Sequence, residues 1–315
     1  ARLGGVSALD EIRPFLKDDS PMVREQTVVA MGLFHDDRLM GDLMEAVQDR
    51  NVQVRRRAVW VLSEYDSPRA VEMIRQALRQ GPSLVSGDAA MALGRMKARA
   101  AVPDMLRLVG ANDLYVRRAV IQALGNIGDT RALPSLLRAL RAETSNTRRE
   151  AAVALGHLGE RRALEPLMKA TRDEDTSVRQ AAAQSIAALA DERDWSLILR
   201  MAGSDDDYLR EQAAAALGNL EHEEAFPRLV ELLEDPSERV RWAAINAVDA
   251  SGHPDAAEAL RAAIKTESNS WMRSHIQNVL NRRAYRRAVD VEPPAGLRPA
   301  ATGDTAPASA GGSTD

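Results

Sequence analysis

The sequence predicts an all-α fold: a right-handed α-solenoid of about eight helical hairpins, each 31 residues long. Three observations carry that expectation. First, an apolar residue returns in register every 31 residues at Val23, Val54, Val85, Val116, Val178, Leu209 and Val240, with Thr147 the polar exception. Arginine follows it at Arg24, Arg55, Arg117, Arg148, Arg179, Arg210 and Arg241, interrupted by Ser86. Second, a residue able to accept hydrogen bonds from a helix's first turn precedes this pair once per period: Ser20, Asn51, Asp113, Thr144, Asp175, Asp206 and Ser237, with Pro82 breaking the series. Third, apolar residues within the period fall at helical spacing. A fixed period of this size means that each unit buries its apolar face only against its neighbours.

The elements follow in order. The chain opens on Ala8-Leu9-Asp10-Glu11-Ile12, which aligns with the second helix of later units, so residues 1–17 read as a truncated or simplified first unit. Leu3-Gly4-Gly5 resembles the tail of a first helix, which favours a longer parent over a cap. The unit from Asp113 to Ala142 shows the plan. Its first helix, A, carries Val116, Val120, Ala123, Leu124 and Ile127 on one face; a polar turn at Gly128-Asp129-Thr130-Arg131 leads to a second helix, B, with Ala132, Leu133, Leu136 and Leu140 on one face. The position of Leu136 is apolar throughout, at Ile12, Leu43, Ile74, Met105, Leu167, Ile198, Leu229 and Leu260. Glycine recurs near the end of helix A at Gly32, Gly94, Gly125, Gly156 and Gly218, a place that suits close packing and helix termination.

At the distal end Trp271-Met272-Arg273 falls one residue late. Residues 268–289 read as a C-terminal cap helix, with Ile276, Val279, Leu280 and Ala284 inward and Arg282, Arg283, Arg286 and Arg287 outward. Residues 290–315 turn to Ala, Gly, Pro, Ser and Thr without apolar periodicity and are expected to be disordered. The solenoid thus spans 1–289.

Composition sets outer bounds. The 315 residues contain no cysteine, which excludes disulfides, thiolate nucleophiles and cysteine metal sites and leaves the compartment open. Aromatic residues make up 3%, so Ala, Leu and Val must fill the interior and helix axes can approach closely. A net charge of −4 gives no bulk attraction to nucleic acid, and no apolar run approaches the roughly 20 residues of a membrane span.

The string Val116-Arg117-Arg118-Ala119, then Ala123-Leu124-Gly125-Asn126-Ile127-Gly128, then Ala132-Leu133-Pro134-Ser135-Leu136 resembles the short HEAT-like repeat first associated with phycobilisome (bilin) lyases. Val178-Arg179-Gln180-Ala181-Ala182 and Leu209-Arg210-Glu211-Gln212-Ala213 repeat it. The resemblance implies that Arg24, Arg55, Arg117, Arg148, Arg179, Arg210 and Arg241 form a structural ladder reaching an acidic residue of a neighbouring unit, with Asp18, Asp49, Asp173 and Asp235 available. It is nearly silent on activity, because such repeats serve scaffolds, assembly factors, lyases and DNA-repair enzymes alike.

The functional lead is charge in register on helix B. Arg75, Arg79, Arg107, Arg138, Arg141, Lys169, Arg172 and Arg200 form a basic ridge beside the core set, and Glu231 and Glu234 lie beyond it. In HEAT-like solenoids the B helices line the concave face, so the resemblance implies that the ridge sits in the groove. Like charges held one Debye length apart across several units suggest an anionic partner. Read as ordinary solvated charges instead, Asp104 would pair with Arg107 and Glu165 with Lys169 at helical spacing; Arg138, Arg141 and Arg200 lack an acid three or four residues before them.

The chemistry-bearing alternatives are thin. An iron-dependent deoxyhypusine hydroxylase is similar in fold but repeats His-Glu pairs in several units; here His222-Glu223 stands alone, and His35, His157, His253 and His275 have no matching partner. Alkylpurine DNA glycosylases of this fold interleave aromatics with a basic groove. Trp195 takes a core position, Trp60 and Trp242 lie on helix A, and Trp271 opens the last helix, so that interleaving is missing. No catalytic triad, phosphate loop or paired carboxylate stands out, which leaves a bilin lyase activity resting on repeats alone. The expected reading is a non-enzymatic scaffold that binds an acidic segment of a protein partner, without cofactor or metal. The alternative is a lyase-like or chaperone-like assembly factor for a chromophore protein.

Overall fold

A computed structural model describes residues 10–65 and 67–290, with side chains to 285. Residues 1–9 and 291–315, where half of the first unit and the expected disordered tail fall, lie outside the described residues, as do the side chains of Arg286 and Arg287. The described residues form α- and 3-10 helices and no strand. They divide into two compact units, 1–251 and 252–315.

In the first unit a 3-10 turn at Arg13–Lys17 precedes alternating A and B helices. The A helices are α1 (Pro21–Phe34), α3 (Val52–Leu62), α5 (Ser83–Arg95), α7 (Leu114–Ile127), α9 (Ser145–Leu158), α11 (Thr176–Leu189), α13 (Asp207–Leu217) and α15 (Glu238–Ala250). The B helices between them are α2 (Met40–Val47), α4 (Pro68–Gln80), α6 (Val102–Leu106), α8 (Leu133–Ala139), α10 (Leu164–Ala170), α12 (Trp195–Ala202) and α14 (Ala225–Leu232). Each A helix packs on the next A helix, and each B helix on the A helix that follows it. This all-α solenoid is the fold class expected from the period.

The repeated positions find their reasons in packing. Leu136 and seven of its counterparts, from Leu43 to Leu260, are fully buried, while Ile12 is half-buried. Among the expected N-caps, Asn51, Asp113, Asp175 and Asp206 accept a first-turn amide. Ser20, Thr144 and Ser237 do not: the Ser237 hydroxyl donates instead to Asp207 (2.9 Å) and that of Thr144 to Thr147 (2.8 Å). The turn into helix B is more ordered than a plain polar loop. In the Gly128 unit, Asp129 accepts the Arg131 amide at 3.0 Å and caps a 3-10 turn, Thr130–Ala132, before α8 begins. The Arg131 guanidinium beside it holds the Asp129 carboxyl down at about 2.

A left-handed residue recurs at the end of helix A with the same 31-residue period: His35, Lys97, Gly128, Gly159 and Gly252. Glycine suits this conformation, whereas Lys97 (φ 50°) carries a Cβ that the left-handed region disfavours by about 1–2 kcal/mol. Lys97→Gly is therefore expected to raise stability by about 1 kcal/mol, after the entropic cost of glycine in the unfolded chain. Calorimetric melting checks it, and a lowered melting temperature would contradict the assignment.

In the second unit α16 (Ala256–Thr266) packs on α17 (Ser270–Asp290), with Leu260, Met272, Ile276 and Val279 buried. The inward face of α17 differs from the expected one. Ala284 is exposed and Leu280 half-buried, while Arg283 turns in far enough to donate to the His253 carbonyl at 3.3 Å.

Candidate partner-binding face

The arginine ladder sets the register of the face. Where it is complete, the arginine Nη1 donates back to the carbonyls six and five residues earlier: Arg24 to Asp18 and Asp19 (2.8 and 3.0 Å), Arg148 to Ala142 and Glu143 (3.0 and 2.7 Å), Arg210 to Ser204 and Asp205 (2.8 and 3.0 Å). Nε and Nη2 reach forward 25 residues to a carboxylate of the next unit. Arg24 meets Asp49 at 2.7 and 2.9 Å, Arg148 meets Asp173 at 2.7 and 2.8 Å, and Arg210 meets Asp235 at 2.7 and 2.9 Å. Each carboxylate also accepts the amide two residues on, from Asn51 (2.7 Å), Asp175 (2.9 Å) or Ser237 (2.8 Å). One acid thus ties two units and the start of the next helix together.

Burial pushes the Asp49 and Asp235 carboxyls up, but Arg24, Arg210 and the amides outweigh it and hold both below the usual range. For Asp173 the Arg148 guanidinium leads and the direction is the same. The other ladder arginines keep the backward contact. Arg55 donates to the Asp49 carbonyl (2.5 Å), Arg117 to Ala111 (2.9 Å), Arg179 to Asp173 and Glu174 (2.9 and 3.1 Å), and Arg241 to Asp235 and Pro236 (2.9 and 3.2 Å). Arg273, one residue out of register, makes the same contact to Glu267 and Ser268 (2.8 and 2.7 Å).

The eight ridge residues separate into two groups. Arg75 and Arg79 share the buried Asp104 of the next unit (2.8 and 3.2 Å) and both reach Glu72 (2.6 and 2.9 Å). Arg200 reaches back to Glu165 at 3.3 Å. The same-helix pairs Asp104–Arg107 and Glu165–Lys169 are replaced by these cross-unit pairs, because an arginine side chain spans the gap between adjacent B helices. Arg107, Arg138, Arg141, Lys169 and Arg172 are exposed and make no ion pair among the described residues. Arg138 and Lys169 sit in the last turns of their helices, where a cation gains about 0.3–1 kcal/mol from the helix dipole. That accounts for a positive charge there but not for three arginines converging.

They do converge. Arg107, Arg138 and Arg141 line one cleft of about 590 Å³ between the units of α6 and α8, together with Gly110, Ser135 and Thr144. The ladder residue Arg117 also lines it, and Glu143 is its one carboxylate. Sequence reasoning assigns Arg117 to the ladder alone; the signal that it does more is Ala142, which stands where the complete units have aspartate. Arg172 and Arg200 line a separate cleft of about 450 Å³ that also holds Asp205 and Asp206.

On the A-helix side, several cations are paired with acids of neighbouring units, while the exposed Arg95 meets, among the described residues, only the Ser63 hydroxyl (3.1 Å). Arg56 pairs with Asp88, whose carboxylate also accepts the Tyr115 hydroxyl, and Arg57 pairs with Glu25 at 3.1 Å. The buried Glu150 is held by Arg118 (3.2 Å), Arg149 and Gln122 (2.8 Å). Gly87 makes room for Tyr115, since a Cβ there would lie 2.2 Å from its ring. Trp60 lies on this side, under Arg57 at 5.4 Å. Trp195 is half-buried and stacks on His222 with ring centroids 4.0 Å apart, which uses the histidine of the sole His-Glu pair. Among the described residues no group of three or more His, Asp or Glu is placed to hold a metal, and no helix is long and apolar enough to cross a membrane.

A stack of A and B helices tied by an arginine ladder defines an α-solenoid of the HEAT class. The HEAT-repeat pattern matches residues 9–87, 83–154, 139–216 and 195–281, and the chain belongs to the HEAT-repeat family. No curated protein matches it. It is similar in structure to the CpcE–CpcF complex of phycocyanin lyase from Nostoc (22% identity, 76% of this chain and 92% of that one, TM-score 0.43). It is also similar to the Escherichia coli protein YibA (18% identity, 79% and 92%, TM-score 0.51). The structure of Kap95p bound to RanGDP gives a TM-score of 0.61 at 13% identity, covering 88% of this chain and 47% of that chain.

Proposed function

We propose that this chain is a non-enzymatic scaffold that holds an acidic segment of a protein partner against its B-helix face. The observation that carries the reading is the cleft where Arg107, Arg138 and Arg141 meet, none of them ion-paired among the described residues, beside a single carboxylate, Glu143. Planar guanidinium groups receive carboxylates through two parallel hydrogen bonds, which gives geometric selectivity as well as charge. The pairing of Arg56 with Asp88 and of Arg57 with Glu25 speaks against the A side doing the same work. Protein capture by a solenoid of this fold is the subject of the Kap95p–RanGDP structure, which lends the reading support by analogy of fold.

The test uses a fluorescein-labelled peptide of alternating glutamate and glycine, titrated by anisotropy at low salt. Exposed pairs contribute up to about 1 kcal/mol each, so replacing Arg107, Arg138 and Arg141 together by glutamine is expected to weaken binding about tenfold to a hundredfold. Added salt should weaken the wild type and barely affect the variant. Arg162→Gln, at an exposed arginine of the turn before α10 that pairs with Glu160, should leave affinity unchanged. Equal affinity of wild type and triple variant would refute the assignment.

A further inference from the structure

We infer that Arg117 and the Thr144 amide form a vacant ladder position that receives one carboxylate of an incoming acidic side chain. This rests on the proposed capture of an acidic segment and names the point where it is gripped.

The complete units supply the template. In each, a ladder arginine presents Nε and Nη2 to both oxygens of an aspartate 25 residues on, and that aspartate also takes the N-cap amide. Three separate units build this three-donor arrangement with nearly the same distances. At Arg117 the residue 25 positions on is Ala142. Arg117 keeps the backward bond to the carbonyl six residues earlier, that of Ala111 (2.9 Å), one of the two that hold the arginines of the complete units. Its Nε and Nη2 have no acceptor, and the Thr144 amide has none either.

Other interruptions of the ladder are closed. At Arg55 the N-cap is Pro82, which has no amide hydrogen, and the arginine Nε is buried without a partner. At Arg179 the Asp206 carboxylate stands 3.6 Å from Nε, and the Asp206 amide donates to the Ser204 hydroxyl. Only at Ala142, among the described residues, do unsatisfied arginine and amide donors coincide with an open cleft, and that cleft is the one lined by Arg107, Arg138 and Arg141. The surrounding arginines raise the local concentration of acidic segments, and the vacant position orients one carboxylate through two-point guanidinium contact and an amide.

The test supplies the missing acid from within. Ala142→Asp in the full chain should complete the ladder, raise the apparent Tm by about 2–4 °C, and weaken the glutamate–glycine peptide by at least about tenfold. Ser135→Asp places the same charge in the same cleft outside ladder register and should weaken it much less. Independently, sodium acetate is titrated while the Nε resonance of Arg117 is followed by nitrogen-15 NMR. Acetate should shift that resonance in the wild type and leave it unmoved in Ala142→Asp. Equal weakening by Ala142→Asp and Ser135→Asp, or an Arg117 resonance indifferent to acetate, would overturn the inference. The scaffold reading would then stand or fall on the Arg107, Arg138 and Arg141 variant. A wild type that ignores the peptide, yet shows the acetate shift at Arg117, would refute the scaffold reading and keep the carboxylate site.

Discussion

Replacing Gly125 by alanine is expected to destabilise the array by about 1–3 kcal/mol, although alanine is the better helix former by about 1 kcal/mol. Gly125 lies in the last turn of α7, where a Cβ would come 2.7 Å from the Cα of Ala154 and 2.9 Å from its carbonyl oxygen on α9. Both are backbone atoms, so no side-chain rotation relieves the clash. The two A helices must separate, and the loss spreads to the buried contacts of α7 and α9 around it. Gly94 against Ala123 (2.8 Å to Cα) and Gly218 against Ala247 (2.9 Å to Cα) repeat the arrangement, so Gly94→Ala and Gly218→Ala should behave alike. Gly41 in α2 is the counterpart: nothing lies within 4 Å of its Cβ position, and Gly41→Ala should stabilise by up to about 1 kcal/mol. Urea unfolding of the four variants separates the two effects, and a stabilised Gly125→Ala would refute close A-to-A contact.

That contact was half legible in the sequence. The recurrence of Gly94, Gly125, Gly156 and Gly218 announced a crowded position, and the buried Leu136 series announced the core, because both obey a period set by chain geometry alone. The ladder was implied by the resemblance to HEAT-like repeats, which offered Asp18, Asp49, Asp173 and Asp235 as its acids; the last three pair with Arg24, Arg148 and Arg210, whereas the Asp18 carboxylate accepts the Ser20 amide and only its carbonyl meets Arg24. What the sequence could not show was pairing that depends on the gap between hairpins. Helical spacing offers Asp104 to Arg107, yet Arg75 and Arg79 take it from the preceding unit, because cross-unit distances are a product of packing rather than of register. The Asp88–Tyr115 contact was likewise hidden, although Ser86-Gly87-Asp88, which breaks the valine–arginine pattern, marked the place. The candidate site shared this fate. A ridge of eight charges read from the sequence becomes, once cross-unit acids are assigned, five cations unpaired among the described residues, three of which are arginines lining one cleft.

Arg148→Met is expected to cost about 3–5 kcal/mol, more than any other single change considered, because it leaves a buried acid without its cation. The side chains of Arg148 and Asp173 are only 10% and 12% exposed. Without the guanidinium, Asp173 retains the Asp175 amide alone, and the carbonyls of Ala142 and Glu143 lose their donor. Removing both partners, Arg148→Met with Asp173→Leu, should cost less than Arg148→Met alone, since no unpaired charge remains. The same pair contributes to the response to acid. The folded-state pKa values of Asp49, Asp173 and Asp235 lie below their unfolded values, so the unfolded chain binds more protons in between. The stability these acids contribute is therefore complete above the ordinary carboxylate range, about pH 4, and is lost as pH falls through the folded values. The wild-type melting temperature should hold steady from neutral pH to about 5 and drop below about 4, and in Arg148→Met the drop should be shallower because the share of Asp173 is already gone. A solenoid's units are coupled only through their neighbours, so weakening this one interface should also split the thermal transition in two. A single transition with an unchanged acid slope would show that the ladder decorates the stack instead of holding it together.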